Sequence, residues 1–449
     1  MTSTSGRSST PRDGTVPAGT VPDGTVPREV AAARTIEAVY RAEWGRLLAL
    51  LVARTRRLDL AEDGLGEAVA RATERWPRDG VPANPVGWLY TTAHRQVVGR
   101  LRAEAIAGRK APLLAVRPGW VRPAEPGEPG ERLADERLHL ILLCCHPALP
   151  RESRSALALR LVLGTPTEQI ARLFLVSPAT MAARLTRAKR KIVGAGIPLG
   201  HPAEDELRAR LDEVCRTIYL AFTAGYTPGA GPDLLRVDLA GEAVRLSAAL
   251  CDVAPDAGQV RALLALLVLQ HARRDARQRD GCLVTLAEQD RSRWHHEEIE
   301  AGLALAAGLR PAEGYAEELR LQARIAAEHA RAPTAAATGW TSIADRYAEL
   351  ESLTGSAIVR LNRAVAVSES GGPAAGLALL DGLDEVLADN HRVPAVRAEL
   401  ARRLGDTGLA RASYRRAIDL CANDVERAHL RARLAEVESA DGPASPPDP

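Results

Sequence analysis

Apolar residues recur at helical spacing along nearly the whole chain, and most clearly between Gly164 and Ile192. Met181, Leu185, Ala188 and Ile192 follow one another at intervals of four, three and four, which is one stripe of a helix. Thr180, Arg184, Arg187 and Lys191 keep that spacing one residue earlier, so they lie about 100° round the cylinder on the outer flank. Ser177 and Pro178 give the start signal for this helix. A shorter helix precedes it, with Thr165 expected as its cap, Pro166 at its first position and Glu168 reaching back from the third. Two short helices meet at a tight turn, the second apolar inside and cationic outside. That pattern is a helix-turn-helix.

The same periodicity divides the rest of the chain. Regular structure is expected from near Val30, where Tyr40, Trp44, Leu47, Leu48 and Leu51 fit a helix. A second helix should start at Asp59, capping with Glu62. Leu65, Val69, Ala72 and Trp76 form its buried stripe, while Glu62, Asp63, Glu67 and Glu74 leave it acidic outside. Gly64 and Gly66 inside it should each cost about 1 kcal/mol relative to alanine. The loop from Pro77 to Pro85 ends it, and a third helix runs from Val86 to about Arg102, with Trp88 and Leu89 expected in the core. Glycine and proline dominate from Ile106 to Gly130, a linker composition. Helices resume near Leu133 and again from Arg151 to Leu163. Beyond Pro202 everything reads helical, with loops from Gly225 to Asp233 and around Pro255, Gly281 and Gly371. Leu404-Gly405, Ala410, Tyr414, Ala417 and Ile418 fit the second half of a tetratricopeptide repeat.

The expected fold is therefore all-α. Disordered tails cover 1–29 and 439–449, a three-helix module covers 30–105, and a flexible linker covers 106–132. The helix-turn-helix module spans 133–196, a short hinge 197–202, and a helical repeat-like extension 203–438.

Composition narrows the function classes more than the net charge of +2 does. From Pro178 to Lys191 the chain carries Arg184, Arg187, Lys189, Arg190 and Lys191 and no acid, so positive charge is local. A one-sided cationic helix with two start signals around a turn favours DNA over a merely solvated face. The six cysteines form no C-x-x-C pair, which predicts reduced thiols in the cytoplasm. Cys144-Cys145-His146 is expected in the core, because adjacent helical residues point about 100° apart. His295-His296-Glu297-Glu298 lacks two histidines four apart, so neither metal nor cofactor is expected. No phosphate loop or nucleophile–base set is present, and no apolar run approaches a membrane span. An enzyme and a membrane protein are both disfavoured.

These strings together resemble a known family. AEDGLGEAVARATERWP (Ala61 to Pro77) and NPVGWLYTTAHRQVVGRLR (Asn84 to Arg102) resemble the N-terminal module of bacterial RNA polymerase sigma factors. Leu149-Pro150, the ALALRLVLG run (Ala156 to Gly164), Ile170-Ala171 and the string from Arg184 to Arg190 resemble the promoter-reading C-terminal module. With no third module between them, the chain is similar to the extracytoplasmic-function group. The later segments Leu220-Ala221-Phe222, Arg236 to Leu239, Glu288 to Trp294 and Leu361 to Ala366 resemble its branch with a tetratricopeptide-like extension.

That resemblance implies core RNA polymerase and promoter DNA as partners, and it implies residues for each. Asp63 and Glu67 would meet the polymerase clamp. Arg78, Asn84, Arg95, Arg100 and Arg102, with Trp88, would take the downstream promoter element. Ser177, Thr180, Arg184 and Arg187 would read the upstream element, with Lys189, Arg190 and Lys191 on phosphates. The extension would control activity within the same polypeptide, and the Ala-rich surface near Ala410 to Ile418 offers a seat for an unidentified protein partner. Gly66, Arg95 and Gly99 depart from the family's usual Gln, Asn and Asp. The competing reading is a stand-alone helix-turn-helix regulator with a protein-interaction repeat domain, which leaves the module from Asp59 to Arg102 without a role.

Overall fold

The computed structural model describes residues 28–108, 129–174, 176–194, 204–226, 237–279 and 282–440. The 109–128 part of the expected linker, the hinge 197–202, most of the loop from Gly225 to Asp233, and residues 1–27 and 441–449 of the expected tails lie outside the described residues. Arg28, Glu29, Ser439 and Ala440 belong to helices rather than tails.

Three helices open the chain: α1 (Arg28–Thr55), α2 (Leu58–Asp79) and α3 (Pro85–Gly108). The second module holds α4 (Pro129–Cys144), α5 (Arg151–Leu161), α6 (Thr167–Leu173) and α7 (Pro178–Gly194). Then follow α8 (Glu204–Tyr226), α9 (Val237–Val253), α10 (Gly258–His271), α11 (His296–Ala307) and α12 (Gly314–Arg331). The chain finishes with α13 (Trp340–Thr354), α14 (Ala357–Gly371), α15 (Pro373–Ala378), α16 (Leu383–Val386), α17 (Arg392–Arg403), α18 (Thr407–Leu420) and α19 (Asp424–Ala440). The all-α expectation holds, with one departure. Gln278–Arg279 (β1) and Cys282–Leu283 (β2) pair antiparallel in a short hairpin where only a loop was expected. Asp280-Gly281 between them is a hairpin turn signal, but two-residue strands are too short to show an alternating pattern.

The buried stripe of α2 is the expected one: Leu65, Ala72 and Trp76 are buried, and Val69 is half-buried. Trp76 meets Trp88 edge-on with ring centroids 5.6 Å apart. Gly64 is buried where α2 crosses α3, and a Cβ there would come within 2.8 Å of Val97 Cγ2. Close helix approach thus offsets its low helix propensity. Gly66 faces open space, as does Gly99 on α3. The start of α2 differs from expectation. Asp59 lies in the first turn and does not cap; its carboxylate takes the Arg57 guanidinium at 2.9 and 2.8 Å instead. That paired donor holds the Asp59 carboxyl below the usual range against a modest burial cost. The helix also runs through Pro77 to Asp79, and Gly80 at φ +87° ends it.

One apolar core extends from Ala32 on α1 to Ala330 on α12, so both N-terminal modules and the first part of the extension share it. Three smaller clusters serve the later helices. There each helix packs mainly on its chain neighbours, from α12 on α13 through to α18 on α19, the layout of a solenoid. In the last hairpin, Ala398, Ala401, Ala410 and Ala417 let α17 and α18 approach around buried Tyr414. The Tyr414 hydroxyl donates to Glu399 at 3.0 Å, and Gly405 at φ +80° makes the turn.

The seam between the first two modules is tight. Gly45 on α1 sits against the end of α5, where a Cβ would fall 1.6 Å from the Val162 carbonyl oxygen. Gly164, at φ +62°, abuts Trp44, and Arg160 donates to the Tyr40 hydroxyl at 3.2 Å while lying over the Trp44 ring. Arg137 on α4 joins three parts of the chain, donating to the Ala42 carbonyl on α1 and pairing with buried Glu242 on α9. Farther along, the Ser155 and Thr217 hydroxyls bond at 2.9 Å between α5 and α8, with Cys145 Sγ 3.6 Å from Thr217.

Candidate nucleic-acid interface

The reader helix α7 turns its apolar stripe inward as the spacing predicts. Met181, Leu185, Ala188 and Ile192 are buried, packed over α5 and α6. Its start is capped by Ser177, whose Oγ accepts from the Thr180 N–H at 3.1 Å and bonds the Thr180 hydroxyl at 2.8 Å. Ser177 and Thr180 therefore carry a structural bond at the position that would face DNA. The cap expected for α6 is wrong by one residue. Pro166 occupies that position without a side-chain bond, and Thr165 is buried with its hydroxyl unpaired among the described residues. Thr165 closes α5 instead, through its N–H to the Leu159 carbonyl at 3.0 Å, and Gly164 in the left-handed region makes that turn possible.

The cations of α7 divide into two groups. Arg187, Arg190 and Lys191 are exposed and Arg184 is half-buried, with no ion pair to any of the four among the described residues. Lys189 instead turns back to α2, where its ammonium sits 3.0 and 2.9 Å from the two oxygens of Glu62. Glu62 was expected on the solvent face of α2, but this contact leaves its side chain 15% exposed. The sequence gives no periodic signal for such a partner 127 residues away.

The α2–α3 surface is more self-engaged. Arg100 lies 3.1 Å from Asp63 and 3.6 Å from Glu67, so one residue expected on DNA pairs with both residues expected on polymerase. Asn84 caps α3, its Oδ1 accepting from the Gly87 N–H at 2.8 Å. Arg78, Arg95 and Arg102 are exposed, and Trp88 is half-buried against Trp76. Trp88 thus divides between core and surface, while Leu89 is in the core.

The metal-type donors elsewhere are occupied by other work. Cys144 and Cys145 are buried, and burial pushes both thiols up, Cys145 to about 12. They pack as core residues. His391, Cys421 and Glu426 bring donor atoms within 4.8 Å of one another where α17, α18 and α19 meet. Glu426 there already pairs with His391 at 3.0 Å and lies 3.9 Å from the Arg392 guanidinium, which makes the group an ion-paired corner. No described helix is long and apolar enough to cross a membrane.

Comparison with known proteins bears on each part of this layout. Residues 139–192, which hold the C-terminal part of α4, all of α5 and α6, and α7 except its last two residues, match Sigma-70, region 4. Residues 210–309 match a family of unknown function, DUF6596. An uncharacterized protein of Rhizobium meliloti (strain 1021) is 39% identical over 385 residues, covering 84% of this chain and 90% of the relative. No solved structure matches. The chain thus carries a sigma-70 region 4 domain folded as a helix-turn-helix, which supports a sigma factor family, and it belongs to one family with this Rhizobium meliloti protein.

Proposed function

We propose that the protein is an extracytoplasmic-function-type sigma factor that acts in the cytoplasm, binds core RNA polymerase and directs it to specific promoters under the control of its own helical extension. The observation that carries the proposal is α7, which has Met181, Leu185, Ala188 and Ile192 turned in and Arg184, Arg187, Arg190 and Lys191 without an ion pair among the described residues, held in one core with the three-helix module. Arg184 and Arg187 suit base edges, because a guanidinium can grip guanine bidentately. Arg190 and Lys191 suit phosphates. Asp63 and Glu67 give the first module an acidic face for polymerase, and Arg78, Arg95, Arg100 and Arg102 give it a cationic one for a separated strand.

Control by the extension is supported by its packing. It is no independently folded passenger: α8 and α9 complete the core of α4 and α5, and Glu242 takes Arg137 directly. The serial helices beyond α12 have the tetratricopeptide-like character that suits a protein partner. The deciding experiment is transcription in vitro by the full-length protein with core polymerase on a random-promoter template library. Start sites sharing an upstream element are the expected outcome. Tight binding of the isolated protein to one sequence at physiological salt, with no start-site transcription, would favour the stand-alone regulator.

A further inference from the structure

We propose that Arg273 and Arg291, gathered with His329 around the buried indole of Trp294, form a binding site for an oxyanion, a phosphate group or a carboxylate. Arg273 follows the end of α10, Arg291 opens a short 3-10 turn ahead of α11, and His329 lies in the last turn of α12. The Arg291 guanidinium carbon sits 4.3 Å from the Trp294 ring centroid, and that of Arg273 sits 5.9 Å from it. Arg291 is fixed there through one nitrogen, Nη1, which donates to the His329 and Ala332 carbonyls at 2.9 and 2.6 Å. Both arginines are half-buried. Among the described residues neither has an ion pair, and Arg273 has no side-chain hydrogen bond at all.

This lack of counter-charge is local. Half-buried arginines elsewhere in the extension meet carboxylates: Arg274 pairs with Glu298, Arg320 with Glu317, Arg363 with Glu351 and Arg433 with Glu399. Around Trp294, by contrast, two guanidinium groups share one aromatic ring and repel each other. Stacking on the indole eases their desolvation but leaves both charges uncompensated. Two ring nitrogens at the same place, His329 Nδ1 and Trp294 Nε1, are buried without partners among the described residues. Trp294 is 4% exposed, so bulk solvent does not satisfy its N–H. His329 supplies no counter-charge, because burial and the two arginines push its pKa down to about 3. An oxyanion answers these needs together: it neutralises the guanidinium pair and accepts from the unpartnered Trp294 N–H. The shared core ends at Ala330, one residue past His329, and the His329 ring meets Trp340 at the start of α13 with centroids 5.2 Å apart. A bound oxyanion therefore fastens the core to the solenoid.

The test uses the full-length chain, with inorganic phosphate and acetate as probes in separate titrations against chloride at constant ionic strength. The readouts are calorimetry, the thermal midpoint and the Trp294 indole N–H resonance, assigned by comparison with Trp294→Phe. Arg273→Met keeps the apolar stem and removes the charge. Arg293→Met removes the same charge from an exposed position two residues beyond Arg291 and is the control. Wild type and Arg293→Met should bind at least one probe saturably, with a midpoint that rises as the probe is added and a Trp294 resonance that moves. Arg273→Met should bind that probe at least about tenfold more weakly, the loss of one hydrogen bond to a charged group. In chloride alone its midpoint should equal or exceed the wild-type value, because a repulsion between like charges is gone. A response to phosphate alone assigns the site to phosphate groups, and a response to acetate alone assigns it to carboxylates. No saturable binding of either probe, or equal binding by Arg273→Met and Arg293→Met, would overturn the proposal. Were Arg273→Met unable to fold, a wild-type titration that leaves the Trp294 resonance unmoved would overturn it equally.

Discussion

The two cationic surfaces of this protein are built from the same residue types and differ in what surrounds them. On α7 no acid occurs from Pro178 to Gly194, so Arg184, Arg187, Arg190 and Lys191 have none of their own helix to pair with. On α2 and α3 acids and bases interleave, and Arg100 and Arg57 are both taken by carboxylates of the same module. The first surface projects a positive field beyond its own side chains; the second largely cancels its own within a Debye length of about 8–10 Å. A count of arginines would rank the second surface higher, with six on α2 and α3 against three on α7. What separates them is the supply of counter-charge within reach: Arg184, Arg187, Arg190 and Lys191 of α7 have no ion pair among the described residues, whereas Arg100 on the α2–α3 surface must leave its carboxylates to meet DNA.

Mutations can break or sharpen this contrast. Leu185→Ala should have the largest effect: it empties a buried position under α7 and should cost about 2–5 kcal/mol of stability, visible as a lowered denaturation midpoint with loss of DNA binding. Arg187→Ala should leave that midpoint unchanged but remove about 1–3 kcal/mol of discrimination between a selected upstream element and its scrambled version. Equal losses on both duplexes would reassign Arg187 to the phosphates. Asn84→Ala should cost about 1 kcal/mol of stability through the lost bond to the Gly87 N–H, with no change in the salt slope of DNA binding. A reduced slope with unchanged stability would return Asn84 to the interface proper. Smallest should be Arg100→Ala, which breaks exposed pairs worth about 0–1 kcal/mol; its melting curve should barely move.

Legibility followed the range of the physics. The stripe on α7, its Ser177 cap, the buried face of α2 and the Tyr414 hairpin are all set by neighbours within a few turns, and spacing revealed them. Local signals also misled where two residues competed for one position. Thr165 and Pro166 both suit a helix start, and the demand for a turn after Gly164 gave the position to Pro166. Asp59 has the chemistry of a cap, but Arg57 two residues earlier offered its carboxylate a full positive charge. The seam was invisible because its parts have no period. Gly45 reads as a weak spot in a helix until Val162, over a hundred positions later, is seen to need the space. The Glu62–Lys189 pair is hidden for the same reason, since a carboxylate on a polar face and a lysine on a cationic one each look complete alone.

The single core running from Ala32 to Ala330 has a consequence for how the protein is made. Helices α4 and α5 leave the ribosome with part of their apolar surface uncovered, and the later helices that cover it, α8 and α9, end roughly a hundred residues on. At about 5–20 residues per second this is a wait of roughly 5–20 s. During that time the nascent DNA reader stands on an unfinished foundation. Synthesis itself therefore acts as a gate: the order of segments along the chain lets the reader mature only after the extension has arrived to support it.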